Sequence, residues 1–319
     1  MNEHPPAITG SQLQPAPLVS VVIPTHGRPD LLLGTLNAVL DQDYPGPLEI
    51  LLVHDREEID PAPASLSRTN RRVVSMTNIR TGGLCGARNT GVLASAGAFV
   101  ASCDDDDLWR PSKVRLQVAR LLTQPDLLAV GAGIRLLMGA RGDVDWPARQ
   151  SVVTHERLLN NRVKELHSST LMMRRSAFDV VGLYDEELPY SYGEDYDWLL
   201  RASRVGPIGA VPEILADIRK DVPSWFRDRS LNTATALEYL LDKHLDFRGS
   251  RRGHARILGQ VAYARAAAGE RGRGTRIAGR ALCRYPAAPH AWLALAVAGL
   301  GVKPGQMLSV ARRLGRGLS

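Results

Sequence analysis

Only three cysteines, Cys85, Cys103 and Cys283, occur in the 319-residue sequence, far apart and without CxxC spacing. An odd, scattered set argues against a disulfide framework or a cysteine-based zinc site, and fits a reducing compartment. Long apolar runs are missing too: the longest, Ala291 to Val302, is about half of the roughly 20 residues that cross a bilayer. No transmembrane anchor is expected. The opening MNEHPPAITGSQLQPAPLVS lacks the basic segment and apolar stretch of a secretory signal, so residues 1–17 read as a Pro-rich disordered leader. These gaps point to a cytoplasmic protein.

Acidic residues are scarce at one end of the chain. Residues 247–319 hold 14 Lys+Arg against the single acid Glu270, which leaves 26 basic and 32 acidic residues in the remainder. The net charge of +7 therefore hides a mildly acidic part and a strongly basic tail. Such a tail attracts nucleic acid, anionic lipid headgroups or an anionic acceptor. A nucleic-acid-binding protein would want aromatic residues interleaved with the basic ones for base stacking. Residues 247–319 offer only Phe247, Tyr263, Tyr285 and Trp292, so nucleic acid is not the expected partner. Peripheral contact at the inner face of the membrane remains an expectation.

A chain of this length exceeds one comfortable hydrophobic core, and two parts are expected, 18–222 and 223–319. In the first, apolar runs alternate with amphipathic stretches, the pattern of βα units around a mainly parallel sheet in an α/β fold. LVSVVI (18–23), LEILLV (48–53), RVVSM (72–76) and AFVASC (98–103) read as strands, with Pro24 ending the first. SSTLMM (168–173) and PIGAVPEILA (207–216) are also strand-like. The intervening 28–41 and 85–95, and later 195–203, carry helical spacing. Beyond Pro223 only helical patterns remain; 254–300 reads as one helical hairpin broken at Tyr285-Pro286.

Each of the first strands runs into polar residues, and ligands of open α/β sheets bind beyond the carboxyl ends of strands. The strongest signal is Asp104-Asp105-Asp106-Asp107, directly after a buried strand. Four adjacent carboxylates repel one another unless a counter-cation holds them. Mg²⁺ and Mn²⁺ take oxygen ligands and commonly bridge carboxylates to substrate phosphates. VVIPTHGRPD (21–30) places Arg28 at a βα turn where a phosphate could lie. GGLCGARNTG (82–91) lets backbone approach closely, and Arg88 opens a helix whose N-terminus favours anions. It is not a Walker motif, because the Lys and Ser/Thr are absent. YGEDYDW (192–198) sets carboxylates beside aromatics at a helix start, where one could be a general base.

In this order and spacing these residues resemble glycosyltransferase family 2, inverting nucleotide-sugar transferases with the GT-A fold. The resemblance covers about 18–220, through VSVVIPTHGRPDLLLGTLNAVLDQ, GARNTGVLASAGAFVASCDDDDLWRP, RRSAFDVVGLYDEEL and GEDYDWLLR. It implies a nucleotide-sugar donor, a divalent metal and a helical C-terminal region after the α/β domain. By resemblance Asp104 and Asp106 match the DXD positions that hold the metal, Asp106 most directly, with Asp105 near the donor ribose or sugar. Pro24, Thr25, Arg28, Asp55 and Arg88 match positions lining the nucleotide pocket. Asp195 matches the general base, and Glu194 lies beside the donor or acceptor sugar. The family's Asp-Asp pair after the second strand reads His54-Asp55-Arg56-Glu57 here, and the usual late His is replaced by Asp217-Ile218-Arg219-Lys220-Asp221.

Three other readings compete. A nucleotidyltransferase would also join an α/β sheet to a carboxylate-bound metal but would release pyrophosphate. A nucleic-acid-binding protein would rely on the basic tail. A sugar-nucleotide-binding module without catalysis would have no need of both Asp106 and Asp195.

Overall fold

The computed structural model describes residues 16–221 and 230–300. The leader expected over 1–17 lies mostly outside the described residues. Its last two residues are packed: Ala16 rests against the core, and the Tyr44 hydroxyl donates to the Pro17 carbonyl at 2.5 Å.

Strands β1 (Val19–Thr25), β2 (Leu48–His54), β3 (Arg71–Thr77) and β4 (Phe99–Ser102) form a parallel set in the order β3-β2-β1-β4. Every residue of β1 and β2 is buried, which is why these segments read as continuous apolar runs. Burying one Val, Ile or Leu side chain contributes about 1.5–3 kcal/mol, so Val21, Ile23, Ile50 and Leu52 alone anchor the sheet firmly. Pro24 does not end β1 as the sequence suggested; it pairs with Val53 inside the strand. The Val22 carbonyl accepts from Cys103 N on the β4 side. Pro24, two residues on, turns its missing N–H to that same side, where β4 has already ended.

Helices α1 (Pro29–Leu40) and α2 (Leu84–Ala94) make the crossovers between these strands. Gly91 lets α2 lie against β1, since a Cβ there would come within 2.4 Å of Val22. Next along the chain come β5 (Leu108–Trp109), α3 (Lys113–Thr123), β6 (Ala129–Leu137), β7 (Val144–Trp146), β8 (Val152–Val153), α4 (His155–Asn160), β9 (Met172–Arg174) and α5 (Ala177–Val181). They are followed by α6 (Glu194–Val205) and β10 (Ile208–Arg219). The sheet continues β4-β9-β6-β10-β5, with β9 antiparallel to β4 and β6, and β7 and β8 pairing with β6 and β10. SSTLMM is strand only at its end. Ser168–Thr170 form a 3₁₀ turn held by the Thr170 hydroxyl on the Glu165 and His167 carbonyls. Pro212 cannot donate to the ladder, and the β10–β6 register shifts directly after it.

The C-terminal part holds α7 (Ser230–Lys243), α8 (Arg251–Ala267), α9 (Arg271–Arg284) and α10 (Pro289–Leu300). Where the sequence suggested one hairpin there are three helices from α8 on. The extra break falls at Gly269, whose φ of +92° ends the helix in a conformation that suits glycine. α7 and α8 bury Leu237, Leu240, Ile257 and Val261 in one apolar cluster with Trp198 of α6 and Val100 of β4. α8, α9 and α10 share a second, smaller cluster of alanines and Leu258.

Candidate active site

The carboxyl ends of β1, β2 and β4 converge. At β1 the Thr25 hydroxyl donates to Asp105 at 3.1 Å, and Pro24 precedes it in the ladder. Arg28, in the turn before α1, donates from Nη1 to Asp106 at 2.8 Å and lies 3.7 Å from Asp105. At β2 Asp55 N donates to the Thr25 carbonyl, while Asp55 Oδ1 accepts from Asn78 at 2.7 Å and from Gly83 N at 3.0 Å. Glu57 pins this unusual turn: it accepts from Gly27 N at 2.6 Å and lies 3.0 Å from His54 Nδ1. Thus Pro24, Thr25, Arg28, Asp55 and Asp105 stand around one mouth.

Arg88, only 1% exposed, extends from α2 beneath the acidic run. Its Nη2 donates to Asp104 at 2.6 Å and its Nη1 to Glu194. Gly86 makes this position of α2 feasible, because a Cβ there would lie 1.8 Å from the Thr81 carbonyl oxygen. Glu186, unremarked in the sequence, braces the same loop by accepting from Asn89 at 2.7 Å and from Thr81 N at 3.2 Å. Asp195 follows Glu194 in the first turn of α6 and accepts from its neighbour Tyr196 N at 2.7 Å.

Burial dominates the electrostatics. It raises Asp105 to about 6, against the pull of Arg28, and raises Asp106, to which Asp104 adds repulsion. Asp104 is the exception: burial works against it, but Arg88, His167 and the Ser168 hydroxyl outweigh that and hold it low. Burial lifts Glu194 to about 7 despite Arg88, and lifts Asp195 as well. A carboxylate so raised is a better proton acceptor than an ordinary one. Two arginines supply part of the counter-charge that the acidic run needs.

For a divalent cation, Asp104, Asp107 and His167 offer ligand atoms all within 4.8 Å of one another. Carboxylate oxygens with one imidazole suit Mn²⁺, and the oxygens alone suit Mg²⁺, so the donor set fits. Asp106, the most direct ligand by resemblance, lies 2.8 Å from Arg28 Nη1. Sequence reasoning assigned neither Asp107 nor His167 as a metal ligand. Asp107 is 2% exposed and accepts from the Ser169 hydroxyl at 2.6 Å and from Arg219 N at 3.0 Å. The acidic run pointed to Asp107, but nothing local ties it to a histidine 60 positions away. Of the late stretch that replaces the family's usual His, Asp217 pairs with Arg110, and the positive charge of Lys220 only partly offsets the burial and carboxylate repulsion that raise Asp106 and Asp107.

The sequence pattern described as Glycosyl transferase family 2 matches residues 20–182, just over half of the chain. The chain belongs to glycosyltransferase family 2. An uncharacterized glycosyltransferase of Haemophilus influenzae is 24% identical over 218 residues, 65% of this chain and 67% of that protein. The UDP-Glc:alpha-D-GlcNAc-diphosphoundecaprenol beta-1,3-glucosyltransferase WfgD of Escherichia coli is 30% identical over 105 residues, 33% of this chain and 41% of WfgD. These matches thus span between 41% and 67% of the relatives' own lengths. Among solved structures, Staphylococcus aureus TarS 1-349 in complex with UDP superposes with a TM-score of 0.57 at 16% identity, covering 94% of this chain and 93% of TarS. The Pyrobaculum calidifontis mannosyltransferase PcManGT, in complex with GDP-Man and Mn2+, gives 0.53 at 17% identity, over 97% and 84%. At such identity the likeness speaks for the fold, and that fold is GT-A. Of the family 2 motifs read from the sequence, those with Pro24 and Thr25 and with the acidic run lie at the ends of β1 and β4, and those with Arg88 and Asp195 lie on α2 and α6.

Proposed function

We propose that this family 2 chain is an inverting glycosyltransferase that moves a sugar from a nucleotide-diphosphate sugar to an acceptor hydroxyl, with Asp195 as general base. The observation that carries the reading is the buried Arg88, which joins Asp104 of the acidic run to Glu194 beside Asp195. One guanidinium thereby ties the donor side to the acceptor side. Thr25, Asp55 and Arg28 would line the nucleotide, and a diphosphate arriving at Arg28 competes with Asp106 for that guanidinium. Asp195 takes the proton of the acceptor hydroxyl, the oxygen attacks the anomeric carbon from the face opposite the leaving group, and the configuration inverts. Asp104 and Asp106, with Asp107 and His167 close to Asp104, would hold Mn²⁺ or Mg²⁺. Bound there, the ion neutralises charge on the departing diphosphate.

A UDP-sugar is the favoured donor: TarS was solved with UDP and UDP-GlcNAc, and WfgD is named for UDP-Glc, whereas PcManGT holds GDP-Man. The acceptor belongs to a glycan, a lipid-linked sugar or a small molecule. A donor screen that records nucleoside diphosphate release with Mn²⁺ or Mg²⁺ tests the class and the nucleobase together. Release of pyrophosphate would make the protein a nucleotidyltransferase.

The protein acts in the cytoplasm, with peripheral contact to anionic membrane through the basic helical region. No helix among the described residues is long and apolar enough to cross a membrane. α9 has no acidic residue and exposes Arg276 and Arg280; burial lowers His254, and the charges of Arg284, Arg280 and Arg248 add to that. Sedimentation with phosphatidylglycerol vesicles but not phosphatidylcholine vesicles, lost at high salt, is the expected result.

A further inference from the structure

Asp197 stands two residues after Asp195 on α6 and is 0% exposed. Its Oδ1 lies 2.8 Å from His244 Nε2 and 2.7 Å from Lys243 Nζ, and its Oδ2 accepts from Arg201 at 3.0 Å. His244 follows the last residue of α7 and is itself 1% exposed. The other ring nitrogen, Nδ1, lies 2.9 Å from Arg204 Nη2. A guanidinium can only donate, so Nδ1 accepts and Nε2 carries the hydrogen that is given to Asp197. One imidazole therefore bridges residues seven apart, on the same face of α6.

The residue between Asp195 and Asp197 is held likewise. Tyr196 donates its hydroxyl to the Leu158 carbonyl at 2.7 Å and accepts from Arg256 of α8 at 2.7 Å. Arg256 also donates to the Leu159 carbonyl at 3.3 Å. Glu194 is tied to Arg88. Each neighbour of Asp195 in the first turn is thus clamped, one from the nucleotide side and two from the helical region. Asp195 itself bonds only to the backbone N–H of Tyr196 among the contacts of the described residues. Its place is set by the turn that carries it.

We infer that His244 is a positioning residue for the transfer step: through Asp197 and Arg204 it fixes the first turn of α6, and with it the carboxylate of Asp195. The inference rests on the reading of Asp195 as the base. It gives the α7–α8 region a part in turnover, and the buried Asp197 a role other than stability. Misplacing a reacting group by about 1 Å costs on the order of 10²-fold in rate, whereas nucleotide contacts at β1 and β2 are untouched.

The test compares His244→Ala, His244→Gln and Arg204→Met in the full chain, by donor affinity from calorimetry, kcat, and melting temperature. Gln keeps one donor and one acceptor, so it can serve Asp197 and Arg204 together. Leu258→Ala, in the separate α8–α9–α10 cluster, is the stability control. Expected are a kcat about tenfold or more lower in His244→Ala with donor affinity within about twofold, and substantial rescue in His244→Gln. Leu258→Ala should keep kcat at a comparable loss of melting temperature. Normal kcat in His244→Ala, or an equal loss in Leu258→Ala, overturns the inference. Should His244→Ala not fold, Arg204→Met decides: reduced kcat at unchanged donor affinity supports the inference, and wild-type kcat sinks it. Absence of any transfer by the wild-type chain would instead count against the transferase reading itself.

Discussion

Arg88 Nη2 lies 2.6 Å from Asp104 Oδ1, at a position where the guanidinium is 1% exposed and Asp104 is held well below its burial-driven tendency. Replacing Arg88 by Met should leave Asp104 and the buried Glu194 without their shared partner. Removing one member of a buried ion pair typically costs about 3–5 kcal/mol. Lys should rescue poorly, because a single ammonium cannot reach both carboxylates as the planar fork does. Denaturant midpoints measure this, and an unshifted midpoint in the Met variant would show that the two carboxylates do not depend on Arg88.

Asp195→Asn separates catalysis from donor binding. The base touches only the acceptor proton, so donor and metal affinity should persist while turnover falls on the order of 10² to 10⁴-fold. In the parent protein the working form is the carboxylate. Burial raises both Asp195 and Glu194, the latter to about 7, so the rate should fall with decreasing pH through a limb above the ordinary carboxylate range. A limb near pH 4 in kcat/KM would mean that these groups are not the ones titrating.

For the metal, Asp106→Ala should abolish metal-dependent turnover while metal-free donor binding through Thr25 and Asp55 remains. His167→Ala should raise the Mn²⁺ concentration for half-maximal rate by about tenfold or more, as loss of a metal-supporting group does. Undiminished, metal-stimulated turnover in both variants would remove the cation from this acidic run.

Lys113 predicts a pH dependence of stability. It is 0% exposed, lies 3.7 Å over the Trp109 ring, donates to Gln117 at 2.8 Å, and burial lowers its pKa from 10.5 to about 7. Between those values the unfolded chain binds a proton that the folded chain does not. Stability should therefore rise with pH over that window, by on the order of 5 kcal/mol relative to Lys113→Met, in which the group cannot titrate. Urea midpoints of the two proteins at pH 7 and pH 10 give the comparison. Parallel changes would show that Lys113 stays charged when buried.

Much of the framework was legible in the chain itself. β1, β2 and β4 announce themselves as apolar runs because both faces of these strands are covered, and the acidic run after β4 marks the end at which ligands bind. Hydrophobic period and strand-end polarity are local properties, readable within a dozen residues. What only the tertiary structure decided is which charge meets which. Arg88 and Glu194 are 106 positions apart, Asp104 and Ser168 are 64 apart, and Asp197 and His244 are 47 apart. Charged side chains carry no periodic signature, and their partners are set by the crossing of α2, α6 and α7 over the sheet. For the same reason the basic C-terminal region read as an appendage. Its apolar residues Leu237, Leu240, Ile257 and Val261 find their cover on α6 and the sheet, and a sequence states that a face is apolar without stating what buries it.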